Sequence, residues 1–470
     1  MYEDAPTEVT AGSIVQAAAC PASTRGRRLP GPDASLERWK ALNGAIVQWA
    51  SERPDPNVER IERDLFGSFD QAQQRILRRW LASAREVIGD AVLDDAPPAA
   101  RVFSDDGSVV LRQAITYELT HPEGDRELLR LKIGNPSSAE ETAVLVAGTD
   151  ADAHLGDLLA EPGQVSEIDR DTEAADEAIE QLFRQYAADE PGDPVPGFHC
   201  WLCDRAAVCG VYPNPWGDDL PRGRRIRSVK VSRSTLSRLG QCERRVAWKA
   251  IHQMPAAEDD RPDAPGIGRS RGSVFHNAAE MAILDGDPAG VIAAHAAALP
   301  ASEQDDLHLL WERHEDLCAS EPHPVTMTAT ELPFGVTIPV AESETVVVAI
   351  GTIDAAGREA DGTAAVVEHR TGSRAEIPHL EQELYAVAAS QTARVDRVAV
   401  HHHFLRADGD EACTRRVFEA ADLEAALKDL RDAAETIAGW SPTDSLEAEY
   451  TVGDWCRLCP YEGLCKEWRA

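Results

Sequence analysis

The feature that most restricts the fold of this chain is a cysteine spacing that occurs twice. The pattern C-x2-C-x5-C comprises Cys456, Cys459 and Cys465 in its later copy and Cys200, Cys203 and Cys209 in its earlier copy. Three cysteines in ten residues are typical of a metal site, but a tetrahedral site needs a fourth ligand. Each trio therefore requires a partner from elsewhere in the chain.

A single cysteine far upstream of each trio provides a candidate. Cys20 ends the segment TAGSIVQAAAC, and Cys242 ends the similar segment SRSTLSRLGQC. In both segments a hydroxyl residue precedes a stretch with helical apolar spacing, as an N-cap does. We predict that Cys20 completes the earlier set and Cys242 the later one. Cys318 and Cys413 fit neither set and are expected to be buried thiols.

The repeated pattern predicts an internal duplication, with domains at residues 1–218 and 219–470. In each half a long helical pattern and a proline-containing connector precede the trio. The segment YPNPWGDDLPRGRR, rich in Pro and Gly, is predicted to link the halves. A length of 470 residues agrees with two domains.

The charge of the chain is strongly negative, at −34, and its basic residues are 41 Arg against six Lys. This composition resembles that of proteins from salt-loving archaea; an acidic mesophilic protein is the alternative. In brine such a charge concerns solubility more than the choice of partner. There is no run of 18 apolar residues and no signal-peptide pattern at the N-terminus, so we expect no membrane span and a cytoplasmic location.

One stretch reverses this charge. From Arg222 to Lys249 the sequence holds ten basic residues and one acid, Glu243. Such a run is a candidate phosphate-binding strip, although a solvated face is the alternative. The candidate DNA-binding residues are Arg224, Arg225, Arg227, Lys230, Arg233, Arg244 and Arg245.

Four further segments follow Cys242 and precede the later trio: GRSRGSVFHNAAEM, VVVAIGTIDAAG, TAAVVEHRTG and HLEQELYAVAAS. In this order they resemble the RecB/AddB-type nuclease domain of the PD-(D/E)XK superfamily in its iron–sulfur form, which CRISPR-associated RecB-like exonucleases share. The resemblance covers about residues 230–468. It implies an α/β fold with tandem duplicated PD-(D/E)XK-like domains, each a central mixed β-sheet flanked by helices.

The resemblance also implies site residues and cofactors. His276, Asp354 and Glu368 would bind Mg²⁺ or Mn²⁺, with a strand carbonyl such as that of His369, and Glu368, Arg370 and Tyr385 would be catalytic. The cysteine sets would hold 4Fe–4S clusters, two in the chain. Two residues depart from the family pattern: Arg370 replaces a lysine, and Glu381 stands where a glutamine is expected.

The first half keeps the cysteine frame but changes the chemistry. Gln48 stands where the metal-binding histidine would be, and Arg130 stands where the motif glutamate would be. Lys132 matches the motif lysine, and Glu118 is the nearest acid to the aspartate position, out of register. Because an arginine repels a cation, we predict that this half does not cut.

The resulting expectation is a metal-dependent DNA nuclease, acting as an exonuclease on single-stranded ends in repair, recombination or CRISPR-related processing. A separate helicase or a repair or CRISPR subunit would be its partner. The first alternative is a DNA-binding or scaffold subunit without strong activity. The second is a structural protein that holds zinc in the cysteine sets.

Overall fold

The structure of the protein is a computed structural model. The residues that it describes are 7–11, 13–15, 20, 34–94, 99–133, 136–160, 164–188, 196–197, 200, 203, 206, 210–217, 227–254, 266–285, 287–341, 343–371, 377–409, 412–440, 451–453, 455–456, 459–461 and 464–465.

Strands and helices alternate through the described part of the chain. The strands are β1 (Thr7–Val9), β2 (Val92–Leu93), β3 (Ala100–Phe103), β4 (Val109–Gln113), β5 (Tyr117–Thr120), β6 (Arg126–Lys132), β7 (His154–Leu159), β8 (Gln164–Glu167), β9 (Arg227–Ser232), β10 (Val325–Pro339), β11 (Thr345–Glu359), β12 (Ala364–Arg370), β13 (Val398–Phe404) and β14 (Cys413–Phe418). The helices are α1 (Ala34–Ser51), α2 (Val58–Phe66), α3 (Gln71–Ile88), α4 (Ala139–Ala147), α5 (Thr172–Ala188), α6 (Arg233–Leu236), α7 (Glu243–Ala250), α8 (Gly266–Ala282), α9 (Pro288–Ala297), α10 (Ala301–Ser320), α11 (His379–Ala393) and α12 (Ala420–Gly439).

The second half is built on one six-stranded sheet, in the order β10-β11-β12-β13-β14, with β9 also paired to β11. β11 runs antiparallel to β10 and β12, while β13 runs parallel to β12 after the crossover helix α11. A parallel pair needs such a crossover because its strands enter from the same edge. The fold is therefore mixed α/β, as predicted.

Helices cover both faces of this sheet, and its strands are correspondingly apolar. Residues 346–350 of β11, VVVAI, are all buried, which is typical of a strand with two covered faces. Leu384 of α11 and Leu430 of α12 belong to the main core. On β12, Arg370 contacts α11 through Glu381, whereas the ring of His369 contacts His314 of α10. Neighbouring residues of β12 thus face opposite helical layers.

The first half contains two smaller sheets, ordered β1-β4-β3 and β2-β5-β6-β7-β8. β1 is parallel to β4, as β9 is to β11. β6 and β7 are parallel on either side of α4, and β8 is antiparallel to β7. Strand order and direction along β2-β5-β6-β7-β8 are therefore those of β10 to β14.

The register of the two halves agrees as well. Matching pairs are Gln113–Ala100 with Gly351–Phe334, and Thr120–Val92 with Arg358–Thr326. In both comparisons the first residues differ by 238 in number and the second by 234. β4 and β5 together thus correspond to the single long strand β11, and β3 and β2 to β10.

The halves share a core. Helices α1 to α3 pack in one apolar cluster with Trp248 and Tyr461 of the second half. The buried guanidinium of Arg38 in α1 donates to the carbonyl of Gln253 at 2.6 Å and also to the carbonyl of His252. The predicted boundary at residue 218 falls on residues outside the described ranges and stays a prediction. No helix in the described part of the chain has the length and apolar character needed to cross a bilayer.

The contact between α11 and α12 generates a prediction about pH. Burial, together with the charge of Asp429, raises the pKa of Glu383 from 4.5 to about 7. The stability that depends on protonated Glu383 is complete below about pH 4.5 and is lost as the pH rises through 7. We expect Glu383→Gln to raise the free energy of unfolding by about 1–3 kcal/mol near pH 8, with no gain near pH 4.

Thermal melts across this pH range measure the effect. Glu424→Gln, on an exposed position of α12, is the matched control and should give no comparable change. A Glu383→Gln gain that is the same at both ends of the range would contradict the prediction.

Candidate active site

A cleft of about 760 Å³ opens beside β11 and β12, between α6, α8 and α11. Four of the residues predicted for metal binding and catalysis line it: His276, Asp354, Glu368 and Arg370. Asp354 comes from β11, Glu368 and Arg370 come from β12, and His276 comes from α8. The sheet register and one helix therefore bring together residues that are up to 94 positions apart in the sequence.

Asp354 is held at the centre of this group. Its Oδ2 accepts a hydrogen bond from the backbone N–H of His369 at 2.7 Å. Its Oδ1 lies 3.5 Å from Nδ1 of His276. The backbone bond fixes the carboxylate between the strands and leaves one oxygen directed at the imidazole. An oxygen and a nitrogen donor are thus placed side by side.

The side chain of His369 completes this group, and sequence reasoning considered only its carbonyl. Ligand atoms of His276, Asp354 and His369 all lie within 4.8 Å of one another. Burial holds the pKa of His369 well below its usual range, so its imidazole is neutral and keeps a lone pair for a metal. A position on the opposite face of β12 from Glu368 offered no sequence signal for this role.

Glu368 is buried next to Asp354 but is engaged by an arginine. Its Oε2 accepts from a guanidinium N–H of Arg233 at 2.5 Å, and its Oε1 accepts from the backbone N–H of Asp354 at 3.3 Å. Burial, and then the charge of Asp354, raise the pKa of Glu368 well above its usual value.

The two residues that depart from the family pattern contact each other. The Arg370 guanidinium donates to Oε1 of Glu381, which is buried and also lies 3.7 Å from Nε of Arg233. Glu381 and Glu368 together therefore balance the charges of Arg370 and Arg233. The negative charge of Glu381, which stands where the family pattern has a glutamine, is thus compensated by arginines of the protein itself.

Tyr385 lies behind this layer, away from the cleft lining. Its ring is fully buried, with the Phe334 ring 5.4 Å away and the Arg233 guanidinium 5.4 Å from its centroid. Its hydroxyl has no hydrogen-bond partner among the described residues. From this place Tyr385 supports Arg233, and its catalytic role stays a prediction.

Residues 230–466, half of the chain, match the family model of the PD-(D/E)XK nuclease superfamily. The chain belongs to this superfamily. No curated protein matches it. A solved structure described as "Crystal structure of SSO0001" aligns at 15% identity with a TM-score of 0.25, covering 51% of this chain and 86% of that one. A TM-score this low does not establish a common fold.

Membership in the PD-(D/E)XK superfamily implies a divalent metal ion, and the cleft residues fit one. The carboxylate of Asp354 suits Mg²⁺ or Mn²⁺, and the imidazole of His276 is more compatible with Mn²⁺. The cleft also contains Glu331, which the sequence did not single out. This residue has a positive φ of 45° within β10, and burial with the charge of Asp354 raises its pKa to about 7. Backbone strain of this kind is concentrated at functional sites.

The cysteines of the superfamily domain converge on a second site. Cys242 precedes α7, whereas the other three members follow α12 in the sequence. A small cavity of about 30 Å³ is lined by Cys242, Cys456, Cys459 and Cys465, together with Trp248 and Trp455. The predicted fourth ligand therefore lies with the trio.

The earlier cysteine set is described only in part. Cys20, Cys200 and Cys203 are buried, and Cys200 and Cys203 pack against residues 346–350 of β11 in the second half. Cys209 lies outside the described residues. The second cluster stays a prediction.

Part of the predicted DNA-binding strip is used inside the protein. Arg227 donates to the carbonyls of Ala438 and Trp440 at 3.4 and 3.0 Å, and Lys230 donates to the carbonyl of Cys203 at 3.3 Å. Of the remaining members, Arg233 contacts Glu368. Arg244 and Arg245 line the cysteine cavity. Arg224 and Arg225 lie outside the described residues.

In the first half, Thr116 occupies the place of Asp354. Its Oγ1 accepts from the backbone N–H of Leu131 at 3.0 Å, which repeats the bond from the His369 N–H to Asp354. Glu118, the acid nearest this place in the sequence, pairs instead with Arg126 at 2.6 Å.

The other first-half counterparts also make internal contacts. Arg130 donates to Ser137 at 2.7 Å, and Gln48 donates to Glu52 at 3.0 Å. The Nζ of Lys132 lies 3.0 Å from Glu141 of α4, just as Arg370 contacts Glu381 of α11.

The pairing of Arg233 with Glu368 predicts that substitutions of these two residues have strongly non-additive effects on stability. In EDTA, Arg233→Met should lower the free energy of unfolding by about 3 kcal/mol, because it leaves a buried carboxyl without its partner. Glu368→Gln in the same chain should restore much of this loss, as a double-mutant cycle would show. Arg313→Met, which breaks the exposed pair with Asp408 at 2.7 Å, should cost less than about 1 kcal/mol. Additive effects of the two cleft substitutions would contradict the coupling.

Proposed function

We propose that the second half is a metal-dependent deoxyribonuclease whose reaction takes place in the cleft around Asp354. The observation that carries this proposal is the convergence of Asp354, His276 and His369 on one point, beside Glu368. Donors gathered at the wall of an open cleft, two of them partly exposed, suit a cation that must also contact a phosphodiester. Membership in the superfamily supports the same chemistry.

A divalent ion, when bound, would neutralise the attacked phosphate and help to generate the nucleophile. Asp354 and His276 would hold it, with His369 behind them. Arg238, which also lines the cleft, lies close enough to Arg370 and Arg245 for the three charges to interact. These guanidinium groups would orient phosphate oxygens.

Arg370 stays protonated and therefore cannot accept a proton, whereas the family lysine at this position is smaller and more easily deprotonated. Glu331 lies in the same cleft and has its pKa raised to about 7. It is the better proton acceptor near neutral pH, since its ionised and protonated forms are both populated there. Arg370 would instead stabilise developing negative charge.

From the resemblance, we propose single-stranded DNA ends as the substrate, exonucleolytic cleavage, and a role in repair, recombination or CRISPR-related processing. A helicase or another repair or CRISPR subunit would present the strand. The halophilic character proposed from the composition agrees with this binding, because high salt screens the negative charge of the chain. At molar salt the screening length is about 3 Å, so contact within the cleft matters more than the overall charge.

The first half is proposed to be a degenerate copy of the second that no longer cuts. Matching strand order, direction and register support this origin. Thr116 offers a hydroxyl where Asp354 offers a charge, and Arg130 would repel a cation. The contacts of α1 to α3 with Trp248 and Tyr461 make this half a support for the cutting half.

The cysteine cavity is proposed to hold a 4Fe–4S cluster, with a second cluster at Cys20, Cys200, Cys203 and Cys209. Four thiolates suit either a 4Fe–4S cluster or a zinc ion. The resemblance to the iron–sulfur form of the superfamily domain favours the cluster.

One observation favours a second candidate, a DNA-binding scaffold without cleavage. Arg233 occupies one oxygen of Glu368, and Arg370 is engaged by Glu381. If these pairs persist when metal and DNA are present, the motif residues cannot act on a phosphodiester. The cleavage assay below separates the two candidates.

Asp354→Asn should abolish Mn²⁺-dependent digestion of labelled single-stranded DNA, a loss of at least about 10³-fold, and should leave DNA affinity within about threefold. The amide keeps the shape and the hydrogen bond from His369 but loses the charge that a cation requires. Thr116→Val, at the corresponding place in the first half, is the matched control and should cut like the wild type.

Cleavage that survives Asp354→Asn but is lost in a first-half variant would reverse the assignment of the two halves. Intact DNA binding with no cleavage by the wild type in Mn²⁺ or Mg²⁺ would favour the scaffold.

Protein purified without oxygen should be brown and carry on the order of eight irons, at four per cluster. Cys459→Ser should remove about half of this iron and lower the melting temperature, because ligation also contributes folding energy. Cys318→Ser, outside both sets, should keep the full content. A colourless wild type with two zinc ions would contradict the clusters.

A further inference from the structure

A second group of metal-binding side chains lies on β13 and β14, apart from the cleft and from the cysteine cavity. One ligand atom from each of Glu321, His401, His403 and Cys413 lies within 4.8 Å of all the others. His401 and His403 alternate along β13, and Cys413 is paired with His403 across the antiparallel β14. Glu321 follows the end of α10. Two strands and the end of one helix therefore place their ligand atoms close together.

The contacts within this group are close. The Cys413 Sγ lies 3.3 Å from Oε1 of Glu321, and Nε2 of His403 lies 3.4 Å from its Oε2. His401 contacts the same carboxylate through its Nδ1. Glu321 is thus the centre of the group, with two imidazoles and a thiol directed at it.

A second layer of contacts orients His401. Its Nε2 lies 2.8 Å from Oε1 of Glu359, leaving Nδ1 directed at Glu321. The Arg415 guanidinium in turn holds Glu359 through two hydrogen bonds, at 2.6 and 2.7 Å. A carboxylate on the far nitrogen of a histidine is the usual support of a metal-binding imidazole.

Hydrogen bonds do not satisfy every polar atom of this group. The ring of His403 is fully buried, and neither of its nitrogen atoms has a hydrogen-bond partner among the described residues. An unsatisfied polar group of this kind is costly, and native structures rarely keep one without a ligand. Its Nε2 is on the side of Glu321. A cation among the four groups would use that lone pair.

We propose that Glu321, His401, His403 and Cys413 bind a zinc ion that has a structural role. Two imidazoles, one thiolate and one carboxylate make a mixed donor set of four, which suits tetrahedral Zn²⁺. The thiolate and the carboxylate balance the charge of the ion, and the imidazoles are neutral. Four protein ligands leave no open position, which is typical of structural sites. The ion joins the end of α10 to the last two strands of the sheet.

This site differs from the other two in its chemistry. The cysteine cavity offers four thiolates and no imidazole or carboxylate, whereas the carboxylate-containing cleft favours Mg²⁺ or Mn²⁺. A neighbouring group of His314, Cys318 and His403 shares one histidine but lacks a carboxylate. Cys318 therefore provides a close control that leaves the four proposed ligands in place.

The test measures zinc bound to the full chain purified in the presence of Zn²⁺. Wild-type protein should hold about one tightly bound zinc per chain, and Cys413→Ser should lose it. Cys318→Ser should retain it. Circular dichroism confirms that each variant is folded, and zinc stoichiometry after gel filtration gives the readout independently of DNA cleavage.

X-ray absorption at the zinc edge tests the same proposal on the wild type alone, so it does not depend on a variant that folds. The expected shell is one sulfur at about 2.3 Å and three nitrogen or oxygen atoms at about 2.0–2.2 Å. Four sulfur atoms would place the zinc in a cysteine set and overturn the proposal. No bound zinc in the wild type, or full retention by folded Cys413→Ser, would overturn it as well.

Discussion

The second half depends on the register of β11, the 15-residue strand that pairs with β9, β10 and β12. The pairing of Ala355 with Val367 places Asp354 next to Glu368. The backbone N–H of Asp354 donates to Oε1 of Glu368, and the backbone N–H of His369 donates to Oδ2 of Asp354. A slip of one residue would turn every side chain of a strand to the other face. The apolar run of residues 346–350, buried within the core, therefore fixes the active site as well as the sheet.

Charge compensation is the second constraint on the cleft. Two buried acids, Glu368 and Glu381, are matched by Arg233 and Arg370, so the fold tolerates their burial without a metal. Asp354 carries a further negative charge that a divalent cation would compensate. The first half retains the pair of Lys132 with Glu141. This pair lies near Arg130, which also contacts Glu141, and such internal pairing of charges is consistent with a structural role.

The resemblance and the order of the motifs predicted the residues that meet in the cleft, except for Tyr385, which lies behind it, and the cysteine spacing predicted the set at the cysteine cavity. They missed residues whose position depends on local backbone irregularity. Glu331 lies at a positive φ within β10, and no residue type signals such a place. Glu118 looked like the nearest acid, but the constant offset of 238 positions from β4 and β5 to β11 puts Thr116 in register with Asp354 instead. Arg227 and Lys230 read as a phosphate strip, yet their partners are distant backbone carbonyls.

Cys413 is a further residue whose surroundings the sequence pattern does not indicate. The sequence predicts a buried thiol, whereas Cys413 is only partly buried, and this burial raises the pKa of the thiol to about 12. The sequence alone does not indicate that His401 and His403 lie close to Cys413. Nor does it indicate that Glu321, at the end of α10, lies close to all three. The three proposed metal sites of the second half differ in donor softness: thiolates at the cavity, a carboxylate with imidazoles at the cleft, and a mixture on β13 and β14. Because ligand type governs metal choice, the donor sets alone would direct each of the three proposed metals to its own site.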